Sequence, residues 1–138
     1  MSDIDDQIIV EFRANAGQVG GQLAGIPVMV LHHRGRKSGI ERVTPMVYLP
    51  SDDKNVLFVM ASNWGAPENP GWYYNITSAG QAEVETGTET YRVTARDLKG
   101  EERDRIWATV VQRYPVFGGY EEKTAGIRTI PVVELTRA

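Results

Sequence analysis

The stretch Val28-Met29-Val30-Leu31-His32-His33-Arg34-Gly35-Arg36-Lys37-Ser38-Gly39-Ile40-Glu41-Arg42-Val43-Thr44-Pro45-Met46-Val47-Tyr48-Leu49 decides the fold. Its apolar runs, Val28–His33 and Val43–Leu49, have strand length and flank a turn made of glycines and cations. That pattern predicts a β-hairpin with a long basic tip. A third apolar run, Val56–Ala61, follows the turn cluster Ser51-Asp52-Asp53-Lys54-Asn55. Three strands in succession without an intervening helix disfavour a parallel α/β sheet.

Working outward, Ala82–Thr86 and Glu89–Leu98 predict a second hairpin around Gly87. In its second strand Tyr91, Val93 and Ala95 alternate with Arg92, Thr94 and Arg96, as on a half-buried strand. Ile127–Leu135 reads as the last strand. Ile4, Ile8 and Phe12 lie four apart and predict a short amphipathic helix over residues 1–15, with an acidic polar face. Residues 16–27 read as an extended glycine-rich connection. A helix is expected from about Pro70, carrying Trp72, Tyr73 and Ile76, and another over Gly100–Arg113 with acids in its first turn. Tyr114–Tyr120 reads as an aromatic loop. The sum is an α+β, mainly β chain: a small antiparallel barrel of about six strands with about three short helices.

At 138 residues the chain is expected to form one domain, 1–138, since two cores would leave about 70 residues each. Its 41% hydrophobic and 24% charged content excludes a disordered chain. No apolar run approaches the roughly 20 residues of a spanning helix. The acidic start, MSDIDDQ, has no secretory pattern, and there are no cysteines, so a cytoplasmic location is expected. The acidic face of the first helix leaves at most peripheral membrane contact. The net charge of −3 argues against a nucleic-acid partner. Yet Arg34, Arg36, Lys37 and Arg42 stand against Glu41 alone, so the hairpin tip is a local cationic spot in an acidic chain.

Three segments have the residue types for chemistry. At the tip, Gly35 and Gly39 permit turns that aim several N–H groups at one anion, with cations and the Ser38 hydroxyl beside them. A basic turn that only keeps a hairpin soluble has the same composition. The second segment, Ala61–Asn75, is a small-residue loop opening into an aromatic helix, where a planar ligand can lie against backbone. Trp72 in it reads more readily as packing. The third, Tyr114–Tyr120, is either a wall over a flat substrate or an anchor to the core. His32 and His33 are neighbours on a strand, so they face opposite sides and read as structural. No set of acids paired with histidine suggests a metal, and no Ser-His-Asp or paired-carboxylate arrangement can be singled out.

The order Gly35-Arg36-Lys37-Ser38-Gly39, Arg42-x-Thr44-Pro45 and Ala61-Ser62-x-x-Gly65-Ala66-Pro67-x-x-Pro70-x-Trp72-Tyr73-x-Asn75 resembles the deazaflavin-dependent nitroreductase family. Glu102-Arg103 with Trp107, Tyr114-Pro115, Tyr120 and Arg128-Thr129-Ile130-Pro131-Val132-Val133 extend the resemblance from about Asn15 to the C-terminus. It implies a split β-barrel like those of FMN-binding oxidoreductases, holding coenzyme F-420. By resemblance Arg36, Lys37 and Ser38, with Arg42, hold the coenzyme's anionic tail, and Thr44 and Pro45 also belong to the coenzyme site. Met60, Ala61, Ser62 and Asn63, with Ala66 and Trp72, lie about its ring, and Ser62, Tyr114 and Tyr120 meet the substrate. The implied activity is reduction of a conjugated small-molecule acceptor: a quinone, an enone or a nitroaromatic. FMN-dependent reduction, or F-420 or amphiphile binding without catalysis, are the alternatives. Asn63 and Trp64 depart from the Lys-Gly common in the family, and Phe117 stands where it has a tyrosine. The sequence leaves the oligomeric state open.

Overall fold

The computed structural model describes residues 3–138. Six strands, β1 (Val28–Arg34), β2 (Glu41–Pro50), β3 (Val56–Met60), β4 (Gln81–Thr86), β5 (Glu89–Asp97) and β6 (Val132–Arg137), close into a barrel. Around it the order is β1-β2-β3-β6-β5-β4, with β4 pairing back to β1 and every pair antiparallel. The expected antiparallel barrel is therefore present, with all its strands paired on both sides. Helix α1 (Asp3–Ala14) precedes the barrel, and residues 1 and 2 of the expected N-terminal helix lie outside the described residues. Helix α2 (Gly71–Ala79) joins β3 to β4, while α3 (Gly100–Arg113) and α4 (Val116–Thr124) join β5 to β6. Among the described residues no helix is long and apolar enough to cross a membrane.

The strands are more continuously apolar than a half-buried sheet requires because several are covered on both faces. Met29 and Leu31 of β1, Leu57 and Val59 of β3, and Val84, Val93, Val133 and Leu135 fill the interior, joined by Tyr73 and Ile76 of α2. The opposite faces of β2, β3 and β6 present Leu49, Phe58, Met60 and Val132 to Trp107, Val110 and Phe117 of α3 and α4. Ile9 and Phe12 of α1 cover Val28 and Val30. Burying one such phenylalanine contributes about 2–3 kcal/mol, enough to fix a short helix that would not hold alone. After α1 the chain turns through Gly17 at φ +89°, where an added Cβ would sit 2.6 Å from the Gly87 Cα. Only glycine permits that approach to the β4–β5 turn.

Two expectations need correction. Among the described residues there are four α-helices where about three were expected, because most of the expected aromatic loop Tyr114–Tyr120 belongs to α4. Gly118-Gly119 disfavours a helix by propensity. Tertiary packing overrides it: Phe117 is buried and Tyr120, one turn on, packs on the same cluster. The last strand begins at Val132 rather than Ile127. Arg103, buried under α3, donates from Nε and Nη2 to the Ile130 carbonyl at 3.1 and 2.7 Å, so that carbonyl is bound by a side chain. The connection 16–27 also contains a short 3₁₀ turn, Gly21–Leu23.

Candidate functional site

β1 and β2 run in register to the tip, with His33 opposite Arg42 and Arg34 opposite Glu41. The tip between them is tight: a Cβ on Gly35 would lie 2.4 Å from the Ser38 Oγ, which accepts the Ile40 N–H at 3.2 Å. Arg36, Lys37, Ser38 and Arg42 are all exposed. Glu41 lies 3.9 Å from Arg34. Among the described residues Arg36, Lys37 and Arg42 have no carboxylate partner, so no neighbouring acid neutralises their charge. Thr44 and Pro45 are half-buried lower on β2.

One residue of α2 fixes the tip. The Asn75 Oδ1 accepts the Arg36 backbone N–H at 3.1 Å, and its Nδ2 donates to His33 Nδ1 at 2.9 Å. His33 Nδ1 is therefore an acceptor, and the ring proton sits on Nε2, which donates to Thr44 Oγ1 at 2.9 Å. Burial, then the positive charges of Arg42 and His32, push the His33 pKa down to about 4, in keeping with a neutral ring. His32, on the other face of β1, bonds Glu85 at 2.7 Å and Glu41 at 3.2 Å. The two histidines do face opposite sides and serve the structure.

Where β3 ends, Met60 and Ala61 are both buried, in two different clusters, and the Ala61 N–H donates to the Pro131 carbonyl at 3.0 Å. The following 3₁₀ turn, Asn63–Gly65, carries Asn63 at φ 49°, Trp64 at φ 59° and Gly65 at φ 80°. A Cβ on Gly65 would meet the Lys123 side chain at 2.8 Å, so α4 rests directly on this turn. Asn63 spends its amide inside the loop, donating to the Glu68 carbonyl at 3.0 Å. Ala66 is half-buried, and Trp72 packs its ring partly on the barrel interior.

Arg128 holds this loop together. Its guanidinium donates to the Ser62 carbonyl at 2.8 Å, the Ala61 carbonyl at 3.2 Å, the Ala66 carbonyl at 3.1 Å and Asn69 Oδ1 at 2.7 Å. A planar guanidinium with five donors suits this convergence, and a lysine would not. Asn69 in turn donates to the Tyr74 hydroxyl at 3.1 Å, and the Arg36 guanidinium lies over the Tyr74 ring at 5.2 Å. The tip and the loop are thus joined through the start of α2. Arg128, Asn69, Tyr74 and Asn75 were not singled out from the sequence as site residues, although the quoted motifs contain Arg128 and Asn75.

The three hydroxyls differ. Tyr114 donates to the Tyr48 carbonyl at 3.2 Å, so its hydroxyl is engaged in the structure. Among the described residues the Ser62 and Tyr120 hydroxyls have no partner. Burial raises the Tyr120 pKa, which keeps this phenol protonated and able to donate at neutral pH. Its ring lies edge-on to Phe117 at 5.5 Å and to Trp64 at 6.3 Å.

Exposed cations at one end and two hydroxyls without a partner among the described residues at the other are groups suited to an anionic ligand and a polar-edged one. The family described as F420H(2)-dependent quinone reductase matches residues 7–137. The chain belongs to this family, and its coenzyme is F-420. An F420H(2)-dependent quinone reductase of Mycobacterium tuberculosis is 32% identical over 133 residues, covering 91% of this chain and 85% of that one. A solved structure of an F-420-H2-dependent reductase, FDR-A, superposes with a TM-score of 0.69 at 33% identity, over 79% of this chain and 93% of its own. A second, described as a domain-swapped dimer, gives a TM-score of 0.70 at 30% identity, over 94% of this chain and 92% of its own.

Proposed function

We propose that this F-420-dependent oxidoreductase reduces a quinone to its hydroquinone, with Arg36, Lys37, Ser38 and Arg42 on the coenzyme's anionic tail and the Ala61–Ala66 loop against its ring. When bound, reduced F-420 supplies a hydride in one two-electron step. The protein's work is therefore placement and polarisation. Arg128 keeps the loop in one conformation, so that donor and acceptor can be held at roughly 3–3.5 Å. Ser62 and Tyr120 donate hydrogen bonds to the quinone oxygen on which negative charge develops, and a proton completes the hydroquinone. Tyr114 lines the acceptor side with its ring, its hydroxyl being held by β2. Thr44 and Pro45 support the tip from β2, Met60 and Trp72 support the loop by packing, and Asn63 closes the loop on Glu68. The absence of cysteine agrees with a cytoplasmic location.

The observation that carries this reading is that the Ser62 and Tyr120 hydroxyls, one on the loop held by Arg128 and one on the helix that rests on it, have no partner among the described residues. It is tested by anaerobic turnover with reduced F-420 against a quinone, an enone and a nitroaromatic. The quinone is expected to be the best acceptor. Tyr120→Phe should lower its turnover about fivefold, the value of one lost hydrogen bond, with F-420 affinity unchanged. Equal loss of coenzyme affinity in that variant would remove Tyr120 from the acceptor side.

A further inference from the structure

Trp64 is in a position that folding does not explain. It is 76% exposed, so its indole gains little from burial. Its backbone is left-handed, φ 59° and ψ 22°, a conformation that disfavours every residue with a Cβ and that glycine adopts freely. Nevertheless its ring is oriented. It meets Tyr120 edge-on at 83°, Tyr120 meets Phe117 at 87°, and Phe117 meets Trp107 at 88° and 6.1 Å. The series starts at Trp107, buried in the core, and ends in solvent at Trp64, two residues beyond Ser62. A T-shaped contact with one ring occupies at most one face of this exposed indole and leaves the other free for stacking.

We infer that Trp64 is a specificity-determining residue: its indole face is the outer wall of the acceptor slot and selects flat, fused-ring quinones over single-ring ones. The inference rests on the reading of Ser62 and Tyr120 as the acceptor contacts. A bicyclic face matches a bicyclic ligand in area, so removal of the wall withdraws contact mainly from the second ring. The strained backbone is retained for ligand contact rather than for stability.

The test compares wild type, Trp64→Phe and Trp64→Gly with a naphthoquinone and a benzoquinone at saturating reduced F-420, together with F-420 affinity and melting temperature. For Trp64→Gly the naphthoquinone KM should rise about fivefold and the benzoquinone KM should stay within about twofold. F-420 affinity should not change. The melting temperature should hold or rise as the left-handed position is relieved, and Trp64→Phe should fall between on KM. Equal effects on both quinones, no effect on either, or a drop in melting temperature would each overturn the inference. If wild type binds F-420 but reduces no quinone, the reading of the acceptor site fails separately. Trp64 is then judged by quenching of indole fluorescence with the naphthoquinone: a component lost in Trp64→Gly supports the wall, and identical quenching overturns it.

Discussion

The hairpin tip and the strand-end loop are both tied to α2, but they are held in opposite ways. The loop is gripped by a half-buried guanidinium that binds three carbonyls and a side-chain amide. The tip is docked by the Asn75 amide on the Arg36 N–H, and its exposed cations Arg36, Lys37 and Arg42 have no carboxylate partner among the described residues. The difference suits the roles proposed for the two ends. A hydride moves only between atoms held in close register, and a misplacement of 1 Å can cost about 100-fold in rate. An anionic tail is attracted over a longer range by charges that need no fixed geometry. Hydrogen bonds are therefore concentrated where position matters, and fewer hold the chain where charge suffices.

This contrast breaks most sharply at Arg128. Arg128→Ala leaves the Ala61, Ser62 and Ala66 carbonyls without their donor, so a loss of about 3 kcal/mol is expected, or a fall of ~10 °C in melting temperature. Turnover should fall about 100-fold even where the protein remains folded. Arg128→Lys should recover little, since one ammonium cannot meet four acceptors spread over the loop. Stopped-flow oxidation of bound coenzyme, read beside circular dichroism, separates the two effects.

Asn75→Ala should act at the other end and more weakly. It frees the tip without removing a charge, so F-420 affinity should fall about fivefold, with turnover at saturation close to wild type. Calorimetric titration checks it. A fall in turnover as large as that of Arg128→Ala would mean that tip and loop are a single rigid unit.

The pH dependence of the tip comes from His33. Its folded pKa, about 4, lies below the ordinary value of about 6.5, so between these values the unfolded chain binds more protons. Stability contributed by His33 therefore rises with pH across that window and is lost on acidification. Protonation also turns Nδ1 into a donor facing the Asn75 amide, so tip docking weakens in acid. His32 has the opposite sign. Burial lowers its pKa, but the bonds to Glu85 and Glu41 outweigh that and raise it overall. Its contribution is complete below its unfolded pKa and lost as pH rises through its folded one. Imidazole titration by nuclear magnetic resonance should show His33 protonating near pH 4 and His32 above its ordinary value.

Much of the barrel was legible because its strands and hairpin turns carry local signals. Glycines and cations mark the first tip, Gly87 marks the second, and alternation marks β5. Helix α4 was hidden because its stability comes from Phe117 and Tyr120 reaching a cluster built by distant strands, against the local preference of Gly118-Gly119. The late start of β6 was hidden because Arg103 takes the Ile130 carbonyl from 27 residues away. Within the site, the charged tip was readable because charge is written in residue type. The role of Arg128 was not, since its partners are mostly backbone carbonyls that any sequence possesses.

The central claim is that the tip binds the coenzyme's charged tail while the loop positions its ring. It is tested most directly by fluorescence titration of F-420 and of its tail-less chromophore, on wild type and on the Arg36→Ala/Lys37→Ala double variant, at two salt concentrations. Wild type should prefer full-length F-420, and the preference should shrink in high salt. The double variant should lose about tenfold in F-420 affinity, keep its affinity for the tail-less chromophore, and show little salt dependence. Undiminished preference for the full coenzyme in the double variant would contradict the account and place the tail elsewhere on the barrel.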